Sequence, residues 1–316
     1  MISAMIAALG QTRTDALAFL VSFVLTWVLI GALHSRLPHD QGRQYAVNGQ
    51  LSRGKARGAG VVFVPCIVLV SMAFMPFSAE YLIYMVLLVA SMLSGYLDDA
   101  SDKPWNEYKK GLIDLIIAVV TGVTFLNFDT PVIHFLRWQF TLPGWLYLLL
   151  AVVLIWASIN VTNCTDGVDG LSTTVAVITM GTFGLAFAEQ LGSYNTAIVV
   201  FVASLLAYLW NNTSPSLLMM GDAGSRAMGF FIAVLAMKSH HPFAYLLAGL
   251  VFILDGGLGI AKISLKRFLK IWILKEVRTP LHDHARKNKG WSDAQVVARF
   301  ATLQVILSVV LLLLVG

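Results

Sequence analysis

The segment Asn160-Val-Thr-Asn163-Cys-Thr-Asp166-Gly-Val-Asp169-Gly-Leu171 follows directly on an apolar run at about residues 143 to 159. It places two amides, two carboxylates and two glycines beside a stretch long enough to enter a membrane. Polar groups this dense at the edge of hydrocarbon are costly unless they bind something, so the segment is a candidate site. We therefore expect the rest of the chain to hold it at a membrane surface.

The composition predicts a membrane protein. Of the 316 residues 58% are hydrophobic and only 12% are charged, whereas roughly a quarter of the residues are charged in soluble proteins. The longest polar block, 262 to 299, is itself broken by apolar stretches, so residues 1 to 316 are predicted to form one integral membrane domain. The two cysteines, Cys66 and Cys164, define neither a disulfide framework nor a zinc site.

Ten apolar stretches are long enough to cross a membrane, which takes about 20 residues. They lie at about 16 to 33, 59 to 77, 80 to 97, 112 to 128, 143 to 159, 171 to 189, 194 to 210, 225 to 239, 243 to 261 and 297 to 315. The sequence therefore predicts an all-α polytopic membrane protein with ten transmembrane helices. An even number of spans places both termini on the same side.

The basic residues predict which side that is. Of the 22 Lys and Arg residues, all but Arg13, Arg137 and Lys238 fall in the odd-numbered loops or at their edges, Arg226 among them. Loops rich in Lys and Arg stay in the cytoplasm. We therefore expect the odd-numbered loops at the cytoplasmic face and both termini on the periplasmic or extracellular side.

Five aspartates lie in the same loops and are predicted at the C-terminal ends of helices, namely Asp98, Asp99, Asp166, Asp169 and Asp222. A helix C-terminus carries partial negative charge and disfavours each carboxylate by roughly 0.3–1 kcal/mol. One candidate for compensation is Mg²⁺, which takes carboxylate oxygens together with substrate phosphates. The other is the basic loop side chains, namely Arg36, Arg43, Arg53, Lys55, Arg57, Lys103, Lys109 and Lys110.

Glycines precede two of the predicted helices. Gly167 and Gly170 lead into the sixth span, and Gly221 and Gly224 flank Asp222 before the eighth. Helix N-termini expose amides and a positive dipole that bind phosphate, and glycine lets the backbone approach a ligand closely. The cytoplasmic face is therefore predicted to bind phosphate groups.

The ninth span contains Asp255-Gly256-Gly257-Leu-Gly259, and these glycines predict a bent helix. Residues 262 to 276 have a basic and an apolar side, which is typical of a helix in the headgroup layer. We predict that Asp255, Gly256 and Gly257 border a groove for a lipid substrate. The other interpretation of Asp255 is a satisfied carboxyl inside the membrane.

Four segments taken together resemble the polyprenyl-phosphate N-acetylhexosamine-1-phosphate transferases. They are Gly95-Tyr-Leu-Asp98-Asp99, the segment from Asn160 to Leu171, Met220-Gly-Asp-Ala-Gly-Ser225 and Pro280-Leu-His-Asp-His284. The tail Gly290-Trp-Ser-Asp-Ala-Gln-Val-Val-Ala-Arg-Phe300 is most similar to the phospho-N-acetylmuramoyl-pentapeptide transferase branch. The resemblance covers nearly the whole chain.

This resemblance implies transfer of phospho-N-acetylmuramoyl-pentapeptide from UDP-N-acetylmuramoyl-pentapeptide (UDP-MurNAc-pentapeptide) to undecaprenyl phosphate. The products would be lipid I and UMP in peptidoglycan synthesis, with Mg²⁺ as cofactor. It also implies a multi-pass protein of the bacterial inner or plasma membrane, with a cytoplasmic active site. The lipid bilayer is a partner and no nucleic acid is expected, whereas the sequence leaves a homodimer open.

The resemblance also implies roles for single residues. Asp98, Asp99 and Asp222 match the catalytic aspartates, and Asp222 with Asp166 matches the metal site. The nucleotide and substrate positions are Asn163, Asp166, Asp169, Asn212, Lys110, Arg57, His282, Asp283 and His284.

Three positions depart from the family pattern. Asp283 replaces the central member of a histidine triplet, and Met219 replaces a phenylalanine before Met-Gly-Asp. The lysine three residues after the paired aspartates is Asp102 here, with Lys103 next to it.

Two other functions fit part of the sequence. A UDP-GlcNAc:undecaprenyl-phosphate GlcNAc-1-phosphate transferase would use the same carboxylates, although the Gly-Trp-Ser tail argues against it. An ion-coupled transporter would place acidic residues near the bilayer midplane, within internal repeats. The aspartates here lie at one predicted face and no repeat is visible, which disfavours transport.

Overall fold

The computed structural model describes residues 10–40, 42, 52–101, 105–135 and 138–316. Four residues of the sequence argument, Arg43, Asp102, Lys103 and Arg137, lie outside the described residues. The described chain is mostly helical, with two small sheets. We number the main helices α1 to α11 in chain order. They are α1 Gln11–Leu33, α2 Gly60–Phe74, α3 Ala79–Asp99, α4 Glu107–Phe128, α5 Gly144–Thr165, α6 Leu171–Ala186, α7 Tyr194–Asn212, α8 Gly221–Lys238, the bent α9 Pro242–Ala248 with Leu250–Leu269, α10 Leu281–Lys289 and α11 Asp293–Val315.

The helices confirm an all-α polytopic membrane protein. Within the described residues, six helices are long and apolar enough to cross a membrane, namely α1, α3, α4, α5, α7 and α11, and the bent α9 makes seven. Helices α2 and α6 are apolar but shorter. The ten-span count and the side of the termini therefore stay predictions.

Helix α8 forms the centre of the molecule. Every residue from Gly221 to Lys238 except Asp222 is buried, as expected of a helix that is enclosed on all sides. It packs mainly against α5 and α3. A side chain at Gly229 would overlap the backbone of Ser158 in α5, so small residues permit this close approach. The N-terminus of α8 is thereby held between helices that carry predicted site residues.

A short parallel pairing fixes a loop at the same end. Strand β1 (Ala56–Arg57) pairs with β4 (Leu218–Met219), with Arg57 opposite Met219. This pairing places Arg57 beside the start of α8. Strands β2 (Val132–Phe135) and β3 (Trp138–Thr141) form an antiparallel hairpin elsewhere.

The other end of α8 is closed by a polar network. Lys238 Nζ lies 3.0 Å from Glu80 Oε1 at the start of α3 and 2.5 Å from Asp129 Oδ2 just after α4. His240 Nε2 lies 3.3 Å from the second oxygen of Asp129. Three helices are therefore tied together at the end remote from the aspartate cluster.

The ninth helix is bent, as predicted, but at a different residue. The bend of 71° separates Pro242–Ala248 from Leu250–Leu269 and so falls at Gly249, where the backbone leaves the helical region (φ −118°, ψ 13°). A side chain at Gly249 would overlap the ring of Tyr245. Residues Ile253–Gly257 instead form a π-helical turn. The sequence prediction of a bend at Gly256 to Gly259 was therefore wrong in position.

Candidate active site

Two basic side chains gather three of the predicted aspartates. Arg57 Nη2 lies 2.7 Å from Asp99 Oδ1 and 3.7 Å from Asp222 Oδ1. Lys110 Nζ pairs with Asp98 Oδ2 and lies 3.4 Å from Asp222 Oδ2. Asp222 thus stands between the two cations. The positive charge expected from the sequence is supplied here by Arg57 and Lys110.

Helix ends explain this geometry. Asp98 and Asp99 end α3, whereas Lys110 lies in the first turn of α4. The backbone N–H of Trp105 donates to Asp98 Oδ1 at 2.7 Å. Trp105, two residues before α4, thereby connects the start of that helix to Asp98.

The structure corrects the predicted position of Asp222. It does not end a helix but lies in the first turn of α8, where the helix dipole favours a negative charge. The backbone N–H of Ala223 donates to Asp99 Oδ2 at 3.4 Å. The N-terminus of α8 therefore stabilises two carboxylates, rather than opposing one.

The three aspartates differ in access to solvent. The side chain of Asp99 is 0% exposed, that of Asp98 5% and that of Asp222 14%. Asp222 is therefore the carboxylate of this group best placed to meet an incoming ligand.

Arg57 is held in its charged form. Burial alone would lower its pKa, but the carboxylates of Asp99, Asp222, Asp40 and Asp166 outweigh burial and raise the pKa of the guanidinium. A permanent cation therefore sits among the aspartates.

Lys55, just before β1, contacts the second pair of predicted aspartates, Asp166 and Asp169, through Asp169. Lys55 Nζ donates to Asp169 Oδ2 at 3.2 Å, and the backbone N–H of Ser216 donates to the same oxygen at 3.0 Å. The Ser172 hydroxyl donates to Asp166 Oδ1 at 2.6 Å. Lys55 and Arg57 lie two residues apart, so this segment connects both aspartate groups.

The two predicted asparagines have different environments. Asn163 is half-buried in the last turn of α5. Asn212 is buried, and its Oδ1 accepts from the backbone N–H of Gly170 at 2.9 Å while its Nδ2 donates to the carbonyl of Leu218 at 2.8 Å. Asn212 therefore joins the loop before α6 to β4, and its contact with a nucleotide stays a prediction.

The segment that contains His282 packs against the loop between α5 and α6. Asp255 is completely buried and accepts from the backbone N–H and from Nδ1 of His282, both at 2.7 Å. A side chain at Gly167 would overlap the His282 ring. The second interpretation of Asp255, a satisfied carboxyl, fits these contacts.

The glycines after Asp255 pack against a helix. A side chain at Gly256 would overlap the carbonyl of Val161 in α5, and one at Gly257 would touch the Val161 side chain. The structure therefore places both glycines at a contact between helices, and a role at the border of a lipid groove stays a prediction.

Asp283 has a partner of its own. Arg286 Nη2 lies 2.7 Å from Asp283 Oδ1 and also donates to the carbonyl of Gly167 at 3.2 Å. His284 Nδ1 accepts from the backbone N–H of Arg278 at 3.4 Å. The departure from a histidine triplet is thus accommodated by an ion pair within α10.

The donor set suits Mg²⁺ only together with a substrate. Across the described ranges, no three carboxylate, imidazole or thiolate groups converge as metal ligands. Mg²⁺ is often held by one or two carboxylates and substrate phosphates, and Asp222 offers a partly exposed carboxylate. The side chains therefore fit a cation that binds with a diphosphate.

The sequence analysis did not assign Asp40, Asp114 and Arg226 to the surroundings of the site, where the structure buries all three. Asp40 Oδ1 lies 3.4 Å from Arg57 Nη1, and Asp114 of α4 pairs with Arg226 of α8. The sequence analysis counted Arg226 among the cytoplasmic loop charges, whereas the structure buries it inside α8. The available signal was the spacing, because Asp114 follows Lys110 by four residues and Arg226 follows Asp222 by four.

Comparison with known proteins gives the family. The profile of glycosyl transferase family 4 matches residues 81–240. The chain is 39% identical to a phospho-N-acetylmuramoyl-pentapeptide-transferase of Treponema pallidum, over 94% of this chain and 88% of the relative. Proteins of the same name from Symbiobacterium thermophilum (30%, covering 79% of each chain) and Clostridium novyi (26%, covering 93% of each) also match. The chain therefore belongs to the phospho-N-acetylmuramoyl-pentapeptide-transferases, within glycosyl transferase family 4.

Proposed function

We propose that this protein transfers phospho-N-acetylmuramoyl-pentapeptide from UDP-MurNAc-pentapeptide to undecaprenyl phosphate, giving lipid I and UMP. The observation that supports this most is the cluster of Asp98, Asp99 and Asp222 around Arg57 and Lys110 at the ends of apolar helices. A lipid phosphate lies at headgroup depth, so its reaction partner must sit at helix ends. The relatives' name, phospho-N-acetylmuramoyl-pentapeptide-transferase, indicates the sugar that is transferred.

The two cations would hold phosphate oxygens. Arg57 and Lys110 are 20% and 28% exposed and are oriented by carboxylates. Preorganised charges of this kind stabilise the charge that develops during phosphoryl transfer. Mg²⁺, held by Asp222 with help from Asp166, would add positive charge that neutralises the diphosphate and the leaving UMP.

Asp98 would orient rather than remove a proton. Its carboxylate is already paired with Lys110 and accepts from the Trp105 N–H, so both of its oxygens are engaged within the protein. A lipid phosphate with a second pKa of about 6 is already largely ionised at neutral pH. We therefore assign positioning of Lys110 to Asp98.

The membrane arrangement is part of the same proposal. We propose ten spans, with the aspartates at the cytoplasmic face and both termini on the outside of a bacterial inner or plasma membrane. The basic loops support this orientation through the positive-inside rule. The cytoplasmic face is where a soluble UDP-linked substrate is available.

A comparison of two sugar nucleotides tests the function. Purified protein with undecaprenyl phosphate and Mg²⁺ should release UMP from UDP-MurNAc-pentapeptide, with a lipid product of the mass of lipid I. UDP-GlcNAc should give at least ten-fold less UMP under the same conditions, and chelation of Mg²⁺ should stop the reaction. Faster turnover of UDP-GlcNAc would assign the rival transferase instead.

A further inference from the structure

Two ion pairs of opposite orientation connect α4 and α8. At the site, Lys110 of α4 faces Asp222 of α8 at 3.4 Å. Four residues further along each helix, Asp114 of α4 pairs with Arg226 of α8. Four residues is about one helical turn, so the second pair lies directly beneath the first, further from the site.

The second pair is buried and has a third partner. Its side chains are 1% exposed at Asp114 and 3% at Arg226. Asn160 of α5 donates from Nδ2 to Asp114 Oδ2 at 3.4 Å and to the carbonyl of Trp156 at 2.8 Å. Asn160 is followed on the chain by Asn163 and Asp166. One buried junction therefore joins the three helices that present Lys110, Asp222 and Asp166.

Stability alone does not account for such a junction. Replacing a buried ion pair by apolar residues of similar volume is often neutral or stabilising. Ionisable residues within membrane segments are rare and usually serve a function. Asp114 and Arg226 nevertheless take no part in the ligand contacts proposed above, because both are buried one turn below them.

The packing shows what the pair can do. Helix α8 packs mainly against α5 and α3, and α4 packs against the same two helices. Helices α4 and α8 are thus second neighbours that the long side chains of Lys110 and Arg226 connect. The axial register of α4 relative to α8 is therefore set by these side chains as well as by α3 and α5, which lie between the two helices.

The order of charges along α4 and α8 favours one axial register. Helix α4 carries a positive and then a negative residue, whereas α8 carries a negative and then a positive one. Sliding α8 by one turn would place Lys110 opposite Arg226, or Asp114 opposite Asp222. Both alternatives bring like charges together inside protein, where repulsion is strong.

We propose that Asp114, Arg226 and Asn160 are positioning residues that fix the axial register of α4 and α8 and thereby hold Lys110 against Asp222. The effect on turnover rests on the proposed function, whereas the effect on the position of Lys110 does not. The junction is electrically balanced between Asp114 and Arg226, so it orders the site without changing its net charge.

The test is a double variant that removes the charges together, Asp114→Leu with Arg226→Met. Neither charge is left alone in the interior, so we expect a melting temperature within a few degrees of wild type. We expect kcat for UMP release to fall at least ten-fold, with KM for both substrates changed less than three-fold. The single variant Arg226→Lys keeps a cation opposite Asp114 and should retain most of the wild-type kcat. Thr182→Val with Ser308→Ala, which removes a buried hydrogen bond between α6 and α11, should leave kcat unchanged.

A second readout does not depend on activity. Acetylation of lysines by a water-soluble reagent, followed by mass spectrometry, measures how well Lys110 is held by Asp98 and Asp222. In the double variant Lys110 should react several-fold faster than in wild type, with Lys287 and Lys289 as internal references.

The two readouts together decide the proposal. A fall in kcat with faster labelling of Lys110 supports it, and an unchanged labelling rate in a folded double variant overturns it, whatever the activity. Unchanged kcat with faster labelling would overturn the link to catalysis. A wild-type protein that releases no UMP would count against the proposed function, while the labelling would still decide the register.

Discussion

At the scale of single residues, the site is built from charges that neutralise one another. The sequence predicted that the aspartates need positive partners, and Arg57 and Lys110 are in contact with three of them. It could not predict which cations serve, because Arg57 and Asp99 lie more than 40 residues apart and meet only through packing. Asp40 was missed although it lies only 17 residues before Arg57, because no motif marks it and only folding buries it beside that arginine.

The Arg57–Asp99 pair leads to a stability prediction. Asp99 has no exposed side-chain surface, so Arg57→Ala should destabilise the protein by up to about 3–5 kcal/mol, the cost of leaving a buried charge alone. Arg57→Ala combined with Asp99→Asn should regain much of this stability. Thermal unfolding in detergent measures both variants. The exposed Arg36→Ala is the control, and an Arg57→Ala protein as stable as this control would refute the assignment.

At the scale of helices and loops, the sequence placed the motifs correctly at helix ends but misjudged two boundaries. Gly221 to Gly224 resembles a loop because glycine disfavours helices, yet these residues begin α8. The structural reason is long-range, because a side chain at Gly224 would overlap Phe63 of α2. Likewise Gly256 serves contact with α5, and Gly249 takes the bend. Local helix propensity cannot predict either feature.

Backbone contact between α3 and α8 leads to a second prediction. A side chain at Gly95 would overlap the backbone of Asp222, so Gly95→Ala must push α3 away from the start of α8. Asp98 and Asp99 would move with α3, and a displacement of about 1 Å can cost about 10²-fold in rate. Steady-state UMP release measures the effect. Gly181→Ala in α6, where a side chain meets nothing within 4 Å, should keep wild-type turnover, and equal rates for both variants would contradict the geometry.

At the scale of the whole molecule, a buried central helix separates two different polar ends. One end of α8 carries the aspartate cluster, and the other carries Lys238 between Glu80 and Asp129. The sequence predicted two different ends from the distribution of Lys and Arg, because loops rich in these residues stay on the cytoplasmic side during membrane insertion. Its count of ten spans stays a prediction, because α2 and α6 are apolar but short and α8 is enclosed by other helices.

The proposed orientation predicts opposite labelling of two loops. In a cysteine-free background (Cys66→Ala with Cys164→Ser), a cysteine at Gln139 in β3 should react with a membrane-impermeant maleimide added outside intact cells. A cysteine at Lys287 in α10 should react only after the membrane is opened. Both positions are exposed in the structure. Labelling of both from the same side would contradict a cytoplasmic site and an outward hairpin.

The central claim is that Asp222, held between Arg57 and Lys110, makes the layer of carboxylates a phosphoryl-transfer site. The most direct measurement is UMP release at saturating substrates, with and without Mg²⁺, by wild type and by Asp222→Asn. We predict Mg²⁺-dependent turnover in wild type and a loss of about 10²–10³-fold in the variant, the size seen when one preorganised electrostatic group is removed, while the exposed Glu189→Gln stays at the wild-type rate. Turnover of Asp222→Asn close to that of wild type would contradict the account.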